Sequence, residues 1–120
     1  MILLDKRNPN LHQFKAEFFK ALAHPIRIQL LELLADSDKF VNELQSHMDG
    51  SSATSISQHL SILRSKNIVK GERDGNKVKY SVTDRKIIEL LAVAKEIFNN
   101  QLSETISMLH EIDPENPSTD

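Results

Sequence analysis

The chain has 120 residues, of which 39% are hydrophobic and 27% charged, a balance that suits one soluble globular domain and not a disordered segment. It contains no cysteine, which excludes disulfides, zinc-thiolate sites and thiol redox chemistry. Its net charge of −2 hides an asymmetry: residues 54–86 carry eight Lys/Arg against three Asp/Glu, hence +5, and the remainder carries seven against 14, hence −7.

Residues 1–10 read as a flexible N-terminal arm, with Asn8-Pro9-Asn10 as a turn and Asn10 as a helix cap. The stretch Met1–Leu4 is too short for the apolar region of a signal peptide, and no apolar run nears the ~18 residues of a membrane helix. The expectation is a cytoplasmic protein with no membrane partner. Leu11, Phe14, Phe18 and Leu22 recur at helical spacing and define a first helix over 11–23. Pro25 fits the first position of a second helix, about 25–35, with Ile28, Leu30, Leu31 and Leu34 on its apolar side. Val41, Leu44 and Met48 define a short third helix, about 40–48, which Asp49-Gly50 ends.

A fourth helix spans 53–66, capped by Ser51 or Ser52. Ile56, Leu60 and Leu63 form its core stripe at i, i+4, i+7, while Thr54, Gln58, Ser61 and Ser65 face the other way. That outer face has short hydroxyls, one amide and no carboxylate, with Arg64 and Lys66 at its C-terminal end. A merely solvated helix mixes Glu with Lys; a face without negative charge is what a nucleic-acid groove accepts. The period then becomes two: Val78, Tyr80 and Val82 alternate with Lys77, Lys79 and Ser81, Ile68-Val69 opens a partner strand, and Asp74-Gly75 marks a tight hairpin between them. From Asp84 the helical period resumes through Ile87, Leu91, Ala94, Phe98, Leu102, Ile106 and Leu109, giving a last helix over 84–110. Residues 113–120 read as a disordered polar tail.

The order ααααββα describes a mainly α fold with a small β-hairpin (α+β), a winged helix-turn-helix filling residues 11–112. Its second helix of the pair would enter a major groove, and the hairpin tip would flank the duplex with Arg73, Lys77 and, as a further candidate, Lys79 near phosphate or minor groove.

Three segments together resemble the ArsR/SmtB family: Leu22-Ala23-His24-Pro25-Ile26-Arg27; Ser57-Gln58-His59-Leu60 followed by Leu63-Arg64; and Arg73-Asp74-Gly75-Asn76-Lys77-Val78-Lys79-Tyr80. The resemblance covers about residues 12–100. It implies a small dimeric winged-helix repressor of bacteria, with a recognition helix at 53–66, a wing at 71–78 and a dimer interface on helices 11–23 and 84–110. The expected DNA contacts are Thr54, Ser55, Ser57, Gln58, His59, Ser61, Arg64, Lys66, Arg73 and Lys77. Those expected at the dimer interface are Leu11, Phe14, Phe18, Leu91, Ala94, Phe98 and Leu102. For His59, which lies on the flank of the wheel, a structural or backbone-contacting role outweighs base reading.

The sequence departs from the family at its metal-sensing positions. Phe40 and Asn42 stand where cysteines open the third helix of many members, and Asp84 is followed by Lys86, Ile97 and Asn100 where further ligands would fall. No metal and no cofactor is expected, although His12, His110 and Glu111 would be the donors of an atypical zinc site if the end helices met; surface histidines are the plainer reading. The effector is unknown. The expected partners are double-stranded DNA and a second copy of the chain. The alternative is a winged-helix module that binds a protein and uses DNA weakly or not at all. Enzyme activity is not expected: there is no Cys nucleophile, no phosphate-binding glycine loop and no acid placed to orient His59.

Overall fold

The computed structural model describes residues 9–112; the expectations for residues 1–8 and 113–120 lie outside that range. Eight elements follow one another: α1 (Pro9–Leu22), α2 (Pro25–Asp36), β1 (Lys39–Phe40), α3 (Val41–Ser46), α4 (Ala53–Ser65), β2 (Val69–Asp74), β3 (Lys77–Val82) and α5 (Arg85–Ile112). The chain divides into two compact units between Arg85 and Lys86, and the described residues of the second all belong to α5. Among the described residues no helix is long and apolar enough to cross a membrane.

The first unit is built on leucine and isoleucine stripes. Leu30 and Leu31 of α2, Leu44 of α3, and Ile56, Leu60 and Leu63 of α4 are completely buried. Ile68 and Val69, where β2 begins, close the same core. Burying each such side chain stabilises the fold by about 1.5–3 kcal/mol relative to leaving it in water, so the stripes dictate how the helices pack. α1 joins through Ala21 and Leu22 and packs on α2 and α4.

Local chemistry sets the helix ends. α1 starts at Pro9, so Asn10 lies inside the helix and is not its cap; proline's fixed φ suits a first turn, where its missing N–H has no partner to lose. His24 caps α2, its Nδ1 accepting from the Ile26 N–H at 3.1 Å. At α3 the Glu43 carboxylate accepts from the Phe40 N–H at 2.9 Å. Gly50 takes φ 79° between α3 and α4, a left-handed turn that costs a side-chain-bearing residue more. Ser52 caps α4, its Oγ accepting from the Ser55 N–H at 3.0 Å.

The sheet has the order β1-β3-β2, all antiparallel. Asp74 pairs with Lys77 at the tip, leaving Gly75 and Asn76 as a two-residue loop, with Gly75 at φ 67°. Thr83 ties the base of the hairpin to the end of α4, its Oγ1 donating to the Asn67 carbonyl at 2.7 Å. The strand missing from the expected order ααααββα is β1. Lys39 and Phe40 pair with Tyr80 and Lys79, and two residues are too few to show alternation. The third helix is correspondingly shorter than 40–48: its expected first residue, Phe40, is a strand residue and its last is Ser46.

Candidate nucleic-acid interface

α3, the Gly50 turn and α4 form a helix-turn-helix, and β2–β3 form the wing beside it. With its inner stripe fully buried, α4 can present only one face. Thr54, Ser57, Gln58 and Ser61 are exposed on it and Arg64 near its end, whereas Ser55 is half-buried. Ser65 is exposed but its Oγ donates to the Ile62 carbonyl at 2.6 Å, which occupies that hydroxyl's proton. At ~1.5 Å per residue a 13-residue helix is about 20 Å long, enough to lie along a major groove with its first two turns toward base edges.

Two of the ten expected contacts are engaged elsewhere. Lys66 Nζ lies 2.8 Å from Glu17 Oε1 on α1, and this pair holds the Glu17 carboxyl below its ordinary value, chiefly through that hydrogen bond. Lys66 is therefore not a free cation at the end of that outer face. His59 is half-buried, its ring centroid 4.4 Å from that of His24, and its Nδ1 lies 3.3 Å from Arg27 Nη1. Arg27 is itself anchored, Nε donating to the Ala21 carbonyl at 2.6 Å. Burial first, then the neighbouring His24 and Arg27, push the His59 imidazole below its ordinary value of 6.5. His59 thus braces α4 against α2 from the inner flank.

On the wing Arg73 and Lys77 are exposed, opposite Val78 and Asp74 in the ladder. Lys77 and Lys79 also place their ammonium groups 5.7 and 5.3 Å from the centre of the Phe40 ring, within cation–π range. Lys70 faces Glu72 at 3.9 Å, a loose surface pair. The wing's outward charge is thus carried by Arg73, Lys77 and Lys79. Sequence reasoning missed Arg27 and Phe40 as organisers of this surface. Arg27 closes the segment Leu22-Ala23-His24-Pro25-Ile26-Arg27, but its partner His59 is 32 residues away.

The expected dimer residues divide by helix. On α1, Phe14 is 72% exposed while Leu11 and Phe18 are half-buried; on α5, Phe98 and Leu102 are 63% and 59% exposed while Leu91 and Ala94 are half-buried. Phe19, Val93, Ile97 and Met108 are exposed apolar residues that a single stripe at i, i+4 spacing did not pick out, and Ile106 and Leu109 of that stripe are exposed as well. Bare aromatic and aliphatic surface on this scale marks a contact surface more often than a solvated one.

Among the described residues no group of three or more His, Cys, Asp or Glu is arranged to hold a metal ion. The positions Phe40, Asn42, Lys86, Ile97 and Asn100 offer neither thiolate nor imidazole, so the residues present do not fit a thiolate- or imidazole-ligated metal there.

A model of the bacterial regulatory protein arsR family matches residues 24–70, from the cap of α2 into β2. An uncharacterized HTH-type transcriptional regulator of Mycobacterium tuberculosis is 44% identical over 102 residues, covering 85% of this chain and 90% of that protein. A "transcriptional repressor SmtB homolog" of Synechocystis is 41% identical over 65% of this chain and 58% of its own length. The solution structure of a homodimeric winged helix-turn-helix DNA-binding domain from Mycobacterium bovis, described as a possible ArsR-family regulator, superposes with a TM-score of 0.73 at 27% identity, covering 87% of this chain and 95% of that one.

Proposed function

The chain belongs to the arsR family of bacterial regulatory proteins, and from that premise we propose that it is a homodimeric, sequence-specific DNA-binding regulator that represses by occupying an inverted-repeat operator. The observation that carries this reading is the pairing of a carboxylate-free outer face on α4 with a basic wing, in a chain whose total charge is −2. Net positive charge is concentrated where the helix-turn-helix would meet a duplex, and the remainder of the chain is net negative. Arg73, Lys77 and Arg64 supply phosphate affinity that falls with salt. Thr54, Ser57, Gln58 and Ser61 supply discrimination, Gln58 being the residue able to bridge two edge atoms of adenine. A two-fold dimer would set two α4 helices one DNA turn apart, ~34 Å. Homodimerisation is supported by the M. bovis relative and by the bare apolar faces of α1 and α5. Repression is supported by the name of the Synechocystis relative.

The test is fluorescence anisotropy with DNA from the protein's own promoter and a scrambled duplex across a salt series. Gln58→Ala is expected to cost about 1–3 kcal/mol on the operator and much less on the scrambled duplex. Arg73→Ala is expected to weaken both alike and to lower the salt slope by about one. Absence of binding to either duplex at low salt would overturn the reading in favour of a protein-interaction module.

A further inference from the structure

Between α3, the start of α4 and the wing lies a cavity of about 470 Å³, within the size range of small-molecule sites. Its body is apolar: Phe40, Val41, Val78 and Tyr80 form the walls. Its polar lining residues are Asn42 and Gln45 of α3, Ser57 of α4 and Lys77 of β3. No Asp or Glu is among its lining residues. The Glu43 carboxylate accepts from the Phe40 backbone N–H at 2.9 Å, and Asp74 and Glu72, opposite Lys77 and Lys79 in the ladder, are not among the lining residues. Lys77 and Lys79 stand over the Phe40 ring, which concentrates positive charge beside an aromatic wall.

The walls are held in place before any ligand arrives. Phe40 is fixed by its pairing with Lys79 in the sheet and by Glu43. Val78 and Tyr80 lean over Gly71, where a Cβ would come within 2.7 Å of Val78 Cγ1 and 3.2 Å of the Tyr80 ring. A preformed slot with aromatic and branched aliphatic walls, an ammonium group and no carboxylate selects a flat apolar body bearing one negative charge. A bare inorganic anion would leave those walls without a partner.

We propose that this cavity is an effector site for a planar aromatic carboxylate, whose ring lies against Phe40, Val41 and Val78 and whose carboxylate pairs with Lys77. The consequence for regulation rests on the DNA-binding reading above: the ligand takes up Lys77 and fills the space between the recognition helix and the wing, so it competes with the duplex and releases it.

The probe is 1-naphthoate, titrated into the full chain without DNA and followed by calorimetry. Binding of one molecule per chain with a Kd on the order of 0.1–1 mM is expected for a ligand of this size. Val41→Trp, which fills the slot, and Phe40→Leu, which removes the aromatic wall, are each expected to weaken binding at least tenfold, with circular dichroism confirming that they fold. The neutral 1-naphthamide is expected to bind at least tenfold more weakly than 1-naphthoate. In a competition titration, 1-naphthoate is expected to raise the apparent Kd for operator DNA of the parent protein and not that of Val41→Trp. No naphthoate binding by ~10 mM, affinity unchanged in both folded variants, or equal binding of inorganic phosphate would overturn the site. Naphthoate binding that leaves operator affinity untouched would overturn its role as effector. Because the first titration contains no DNA, failure of the DNA-binding reading leaves its outcome intact, and the two failures are distinguishable.

Discussion

Arg27 Nη1 lies 3.3 Å from His59 Nδ1, joining α2 to α4. A guanidinium only donates, so this geometry requires His59 Nδ1 to accept, with the imidazole neutral and its proton on Nε2. Protonation would set an N–H against the arginine N–H and a second positive charge beside the Arg27 guanidinium. The lowered value of His59 follows from burial first and from those two neighbours second.

The pH dependence has a definite sign. Below the ordinary imidazole value of 6.5, the unfolded chain takes up a proton that the folded chain still refuses at His59. Stability is therefore expected to fall as pH drops below about 6.5, and to stop falling once His59 in the folded chain is also protonated. His59→Phe keeps a ring against His24 and removes the titration. Thermal unfolding measured from pH 7.5 to 5.5 is expected to give a smaller acid loss for His59→Phe than for the parent. Parallel curves would assign the acid sensitivity to other groups.

Ser52 holds the first turn of α4 by accepting from the Ser55 N–H at 3.0 Å. Ser52→Ala is expected to cost about 1 kcal/mol, or about 4–8 °C in Tm. Ser52→Asp retains a capping oxygen and favours the helix dipole, so stability should be kept. The added negative charge lies at the end of α4 that would approach the duplex, so its DNA affinity should fall. Calorimetry and anisotropy on both variants separate helix integrity from charge.

Gly71 is required by crowding. The Cβ of Gly71→Ala would come within 2.7 Å of Val78 Cγ1, and valine's branched side chain has little freedom to turn away. A loss of about 1–3 kcal/mol is expected from the forced shift in the wing. Equilibrium urea unfolding is the measurement; a stability within about 0.5 kcal/mol of the parent would show that Val78 yields at no cost.

Phe98 is 63% exposed on α5, in the stripe expected to meet a second copy. Phe98→Asp is expected to convert a dimer to a monomer in light scattering. Because the side chain is largely solvent-facing within one chain, secondary structure by circular dichroism should be unchanged. A dimer that persists would place the interface elsewhere.

Much of this architecture was legible in the sequence because it is set by local periodicity. Ile56, Leu60 and Leu63 had to turn inward together, so Thr54, Ser57, Gln58 and Ser61 had to turn outward. Asp74-Gly75 announced the hairpin because a two-residue loop demands a residue that accepts positive φ, and Gly75 takes 67°. These properties follow from helix and strand geometry over a few residues, whatever the rest of the chain does. Partnerships across the chain follow a different rule. β1 exists because β3 comes alongside to pair with Lys39 and Phe40. Lys66 is claimed by Glu17, 49 residues away, and His59 by Arg27, 32 residues away. The cavity under Lys77 needs α3, α4 and the wing at once. Composition and spacing determined which faces this protein could offer; only the packing of distant segments decided which charges on those faces are free and where a ligand could enter.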